Sequence, residues 1–173
     1  NNLPARDPGL IELIPRREYL ISLEKWFLDS FNGIKLLTGL GGYGKTAIAR
    51  SFSEVLIDNR PQRYESLIWL TAKTDFFVSL QGATKANSRV DFRDSVSFFS
   101  AALMEMGYLS TEVENKDKDE LVDDFIGLIA DLLIILVVDD IDSLDIDEQY
   151  ILIGDLQKVS FVNIYSAQVP SKL

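Results

Sequence analysis

Seven consecutive apolar residues, Leu132 to Val138, closed by Asp139 and Asp140, constrain this chain more tightly than any other feature of its sequence. A strand with one wet face alternates polar and apolar residues, whereas an unbroken run is the pattern of a strand covered on both faces, as in a parallel sheet between helical layers. The run is also far shorter than the roughly 20 residues that a membrane-spanning helix needs. Ile34–Thr38 and Ser66–Ala72 read as further strands, and a last one falls around Phe161–Ser166. Between them apolar residues recur every three or four positions, the period of amphipathic helices. The helices so marked are Glu18–Phe31 (Leu20, Leu23, Phe27, Phe31), Thr46–Asp58 (Ile48, Phe52, Val55), Asp91–Gly107 (Val96, Phe99, Leu103, Met106), Lys118–Asp131 (Leu121, Val122, Phe125, Ile126, Ile129) and a segment around Asp147–Leu156. Asn32–Gly33 is a helix stop and Asp91 a helix N-cap by residue type. The polar stretch Lys73–Arg89 reads as a loop or irregular insertion, and Thr111–Glu120 as a solvated connection. Strands alternating with helices specify an α/β fold of three layers, α/β/α, with a mostly parallel sheet that binds ligands at the carboxyl ends of its strands.

The first strand runs straight into Gly39-Leu40-Gly41-Gly42-Tyr43-Gly44-Lys45-Thr46, which meets the pattern G-x-x-x-x-G-K-[ST]. Its position between a strand and a helix is the context that makes the pattern a phosphate-binding loop, so the fold class is that of a P-loop NTPase. Glycines Gly39, Gly41, Gly42 and Gly44 let backbone N–H groups approach phosphate oxygens, and the N-terminus of the next helix, with Ala47 in its first turn, adds a favourable dipole. Tyr43 lies within the loop. Lys45 supplies a compact positive charge to the β- and γ-phosphates, and the Thr46 hydroxyl is the expected Mg²⁺ ligand. The acidic pair that closes the apolar strand completes the site: Asp139 on the metal side and Asp140 as candidate base for the attacking water. Asp142 and Asp145 read as surface charge.

Composition removes several other chemistries. With no cysteine and no histidine, the chain excludes disulfides, thiol nucleophiles, histidine acid–base catalysis and the usual zinc sites, and leaves oxygen ligands for any metal. A net charge of −10 argues against direct nucleic-acid binding. Neither a membrane span nor a signal core is visible, which leads to the expectation of a cytoplasmic protein. At 173 residues one domain is expected: an N-terminal linker, 1–17, containing Pro4, Pro8, Gly9 and Pro15, then a nucleotide-binding domain, 18–173. A start at Asn1 and a stop just past the fourth strand read as an excerpt of a larger multidomain protein.

Four segments together resemble the nucleotide-binding domains of STAND NTPases, the group that contains NB-ARC and NACHT modules. They are Pro15-Arg16-Arg17-Glu18-Tyr19-Leu20, the glycine loop, Leu67-Ile68-Trp69-Leu70-Thr71-Ala72-Lys73, and Val138-Asp139-Asp140. The tryptophan strand ending in Ala-Lys is most similar to prokaryotic STAND proteins of antiviral defence. This resemblance implies an ATP/ADP switch with Mg²⁺ and slow hydrolysis, which self-associates when ATP binds. It also implies that Arg17 lies near the adenine end of the ligand, whereas Trp69 reads as core. The family commonly carries an Arg after its fourth strand as a γ-phosphate sensor; here Gln168 stands in that place. Gln cannot make the charge-assisted contact, so either sensing and hydrolysis are weakened or the Arg-bearing turn falls elsewhere. An AAA+-like motor ATPase or phosphotransferase with true turnover, and a degenerate module that binds nucleotide without using it, are the alternatives.

Overall fold

The structure, a computed structural model, describes residues 2–3, 17–28, 34–59, 66–73, 75–78, 83–86, 90–132, 134–158 and 163–167. In chain order the elements are α1 (Arg17–Leu28), β1 (Ile34–Leu37), α2 (Lys45–Asn59), β2 (Ser66–Thr71), β3 (Asp75–Val78), β4 (Ala83–Ala86), α3 (Ser95–Glu105), α4 (Ser110–Val113), α5 (Lys118–Asp131), β5 (Ile134–Asp139), a 3₁₀ turn (Ile141–Ser143), α6 (Ile146–Gln157) and β6 (Asn163–Ala167). Four strands form a parallel sheet in the order β1-β6-β5-β2.

The period of two along the strands divides the interior into two cores. Ile68, Leu70, Ile134, Leu136 and Val138 face one side, where they meet Phe98, Phe99 and Leu103 of α3, Leu121 and Phe125 of α5, and Leu152 and Leu156 of α6. Leu67, Trp69, Ile135 and Val137 face the other, against Leu23, Trp26 and Phe27 of α1 and Ala49, Phe52 and Leu56 of α2. All six residues of β5 are buried, as a strand between two helical layers requires. The layering also follows from chain direction. From β1 the chain crosses the sheet to β2 and then steps back through β5 to β6, and right-handed crossovers place outward and returning helices on opposite faces. Hence α2 lies on one face and α3, α5 and α6 on the other.

Phe98 is the hub of the larger core, in edge-to-face contact with Phe92 at 5.1 Å, Phe99 at 5.2 Å and Phe125 at 6.3 Å between ring centroids. On the outer side of β2, the Trp69 N–H donates to Asn2 Oδ1 (2.6 Å) and the Thr71 N–H to Asp91 Oδ2 (2.9 Å), while the Asp91 N–H donates to the Thr71 carbonyl (2.9 Å). Leu3 packs against the smaller core, to which Trp69 belongs.

Two expectations are corrected here. Within Lys73–Arg89, β3 and β4 pair as an antiparallel hairpin in place of an irregular insertion; the run Asp75-Phe76-Phe77-Val78 is a strand too short to show a period. Asp91 does not cap α3. Its carboxylate is spent on the edge of β2, and Asp94 takes the cap by accepting from the Ser97 N–H at 2.7 Å, in a capping box with Ser97. The connection from residue 111 on also contains the short helix α4 before Asp117 caps α5. The helix stop at Asn32–Gly33 lies outside the described residues.

Candidate functional site

The sheet sets the level of the site. Leu37 pairs with Ala167, and Ala167 with Asp139, so β1, β6 and β5 end side by side. The loop after β1 turns to α2 on one face, and the turn after β5 leads to α6 on the other. The two connections leave from either side of β6 and depart in opposite directions, the arrangement in which α/β sheets bind ligands at the carboxyl ends of their strands.

Gly42 and Gly44 hold φ of 78° and 80°, the left-handed region where a side chain is strained, so the loop's path requires glycine at both places. The first helical bond of α2 runs from the Ile48 N–H to the Gly44 carbonyl at 2.9 Å. The N–H groups of Lys45, Thr46 and Ala47 lie ahead of it, among the donors that an α-helix cannot use internally. Lys45 is buried although it opens the helix. Its ammonium turns back into the loop and donates to the carbonyls of Gly39 (2.6 Å) and Leu40 (2.8 Å). The Thr46 hydroxyl donates to Asp139 Oδ1 at 2.8 Å, joining two motifs 93 residues apart. Leu40, Gly41, Gly42 and Tyr43 are exposed at the loop's rim.

Asp139 is 3% exposed, and its carboxyl is pushed up to about 6. Burial is the main cause and the adjacent Asp140 charge adds to it; the Thr46 hydrogen bond and the Lys73 charge oppose it. Asp140 has a left-handed backbone (φ 63°), alone among the described non-glycine residues. The Ser143 hydroxyl donates to Asp140 Oδ2 at 2.6 Å, and the Ser143 N–H to the Asp140 carbonyl at 2.9 Å. Burial, then the Asp140 charge, shifts the Asp142 carboxyl upward as well.

The structure thus brings Gly39, Gly41, Gly42, Tyr43, Gly44, Lys45, Thr46 and Ala47 to the same end of the sheet as Asp139 and Asp140. Arg17 is exposed at the start of α1, the helix that flanks α2. Gln168 lies outside the described residues. Trp69 is core, as its strand pattern predicts. Two residues enter the site's surroundings without a role having been read for them in the sequence. Lys73 follows β2, whose Thr71 is the register partner of Asp139, and acts on that carboxylate through its charge. Ser143 stands three positions after Asp140, a spacing at which hydroxyl and carboxylate meet across one turn; turn chemistry is the signal that could have found it.

The fold is similar to that of the ORC2 protein of Aeropyrum pernix, solved as ADPNP-ADP complexes, with a TM-score of 0.59 at 14% identity. The likeness covers 96% of this chain, which spans 44% of that protein. At this identity it establishes the fold alone, a layered α/β architecture around a parallel sheet. No protein-family model matches the sequence, and no curated protein matches it. Among the described residues no helix is long and apolar enough to cross a membrane.

Proposed function

We propose that this domain binds an adenine nucleotide with Mg²⁺ on the loop 39–46 and serves as the ATP/ADP switch of a STAND-type NTPase. The observation that carries the nucleotide reading is the bond between Thr46 and Asp139, which puts the metal-side residues of two separate motifs in contact at the start of the helix that Lys45 opens. The residues present fit the cation. Their donors, a hydroxyl and a carboxylate, are the hard oxygen ligands that Mg²⁺ takes, and they already meet at 2.8 Å. Among the described residues no three carboxylates cluster to form an all-protein cage. Mg²⁺ held here through one hydroxyl and one carboxylate, with phosphate and water oxygens completing its shell, would offset the charge of the phosphates.

The protein's own groups then divide the work. Backbone N–H groups of the loop and of the first turn of α2 bind phosphate oxygens, and Lys45 exchanges its loop carbonyls for them. Asp140, on a turn open to solvent, orients or deprotonates the attacking water. Aspartate in place of the longer glutamate supports slow hydrolysis, the property a switch needs. The STAND assignment, self-association on ATP binding and the defence role rest on the four-segment resemblance.

The test is to denature purified protein, identify released nucleotide by chromatography, and repeat with Lys45→Ala after incubation with Mg²⁺ and ATP, ADP or GTP. Adenine nucleotide retained by the wild type and lost from the variant is expected. Uptake indifferent to Lys45 would defeat the reading, and GTP retained above ATP would defeat its adenine part. Gel filtration in ATP and in ADP tests the switch: equal elution in both refutes nucleotide-dependent assembly of this chain.

A further inference from the structure

We propose that Ser143 is the positioning residue for Asp140, fixing its carboxylate in the orientation that takes a proton from the attacking water and thereby setting the rate at which bound ATP is spent. This rests on the reading of Asp140 as the base. In that step the water oxygen bonds to the γ-phosphorus, its proton passes to the Asp140 carboxylate, and the bond to the bridging oxygen breaks with its electron pair leaving on ADP.

Three features of the turn carry the inference. Asp140 departs from β5 with a left-handed backbone, which re-aims its side chain relative to the strand that buries Asp139. The 3₁₀ turn Ile141–Ser143 then brings the Ser143 hydroxyl back onto Oδ2 at 2.6 Å, while the Ser143 N–H closes the turn on the Asp140 carbonyl. Third, the turn is anchored from below: Ile141 is fully buried and Leu144 nearly so, both in the larger core, so the hydroxyl is presented from a fixed support although Ser143 itself is exposed. A short acid without such a partner samples several rotamers at its first side-chain torsion, and a base displaced by an ångström loses most of its effect. The hydroxyl acts on Asp140, through its bond to Oδ2.

The experiment is single-turnover hydrolysis of Mg²⁺–ATP by the whole chain, with ATP affinity measured in parallel, for wild type, Ser143→Ala, Ser143→Thr, Asp140→Asn and the double variant Asp140→Asn/Ser143→Ala. Ser143→Ala should be slower by about tenfold with ATP affinity and melting temperature unchanged. Ser143→Thr, which keeps the hydroxyl, should recover the rate, and the double variant should be no slower than Asp140→Asn alone. Full activity of Ser143→Ala beside a slow Asp140→Asn overturns the proposal, and so does an equal further loss in the double variant or a loss traced to weaker ATP binding. A fast Asp140→Asn, or a wild type that converts no ATP, overturns instead the assignment of Asp140 as base.

Discussion

Replacing Asp139 by Asn separates what this residue costs the fold from what it gives the site. Its carboxyl rises from 3.8 to about 6 because burial disfavours the charge. For a raised acid, stability is fully present below the unfolded value and is lost as pH climbs through the folded one. Two units at about 1.4 kcal/mol each give a penalty of about 3 kcal/mol above pH 7, about half of it already present at pH 5 and little of it below pH 4. Asn keeps the shape and an oxygen for the Thr46 hydroxyl but never ionises. Without ligand, Asp139→Asn should therefore be more stable than wild type by about 3 kcal/mol at pH 8 and about 1.5 kcal/mol at pH 5. In urea, with a slope of about 2 kcal/mol/M, the midpoint at pH 8 should move up by about 1.5 M. The same variant should lose the Mg²⁺-dependent part of nucleotide affinity, so the stability order reverses once Mg²⁺–ATP is added in excess. A midpoint difference that is flat between pH 5 and pH 8, or a wild type that gains on the variant as pH rises, would refute the reasoning.

Lys45→Ala removes an ammonium whose partners are carbonyls at the exposed rim, so melting should change little while nucleotide affinity falls about 100-fold, from the loss of charge-assisted bonds to phosphate; thermal unfolding reads the first outcome and titration calorimetry the second. Gly44→Ala forces a side chain into φ 80° and should weaken nucleotide binding by misplacing the loop, detectable by equilibrium dialysis with Gly127→Ala, in helix α5, as a control. Phe98→Ala empties the hub of the larger core and should cost about 3–5 kcal/mol in urea unfolding. Asp94→Ala deletes the α3 cap for about 1 kcal/mol, whereas no such helix effect is expected if Asp91 were the cap.

The elements that the sequence made legible were those with a period or a chemical pattern. The apolar run gave the central strand, the three-to-four spacing gave the helices, and the glycine loop announced a strand before it and a helix after it. The two motifs that named candidate site residues lie at one end of the sheet, joined by the bond from Thr46 to Asp139. What escaped depended on partners distant in the chain. Whether Asp91 caps a helix or clasps β2 is decided by where Thr71 lies, which no local pattern records. The strand order, with β6 inserted between β1 and β5, is likewise a matter of crossover direction. The hairpin β3–β4 offers four residues a strand, fewer than an alternation needs to declare itself. Ser143 is local, yet its role appears only once the backbone at Asp140 is seen to turn left-handed.

The clasp on β2 bears on how copies of this domain can come together. A bare edge strand invites a neighbouring chain to add a strand of its own, the route to swapped dimers and fibrils. With the Trp69 and Thr71 N–H groups already answered by Asn2 and Asp91, a newcomer would have to displace both to pair along that half of the strand. On the β2 side, any second copy is thereby steered away from strand addition and toward contacts with helical faces and loops.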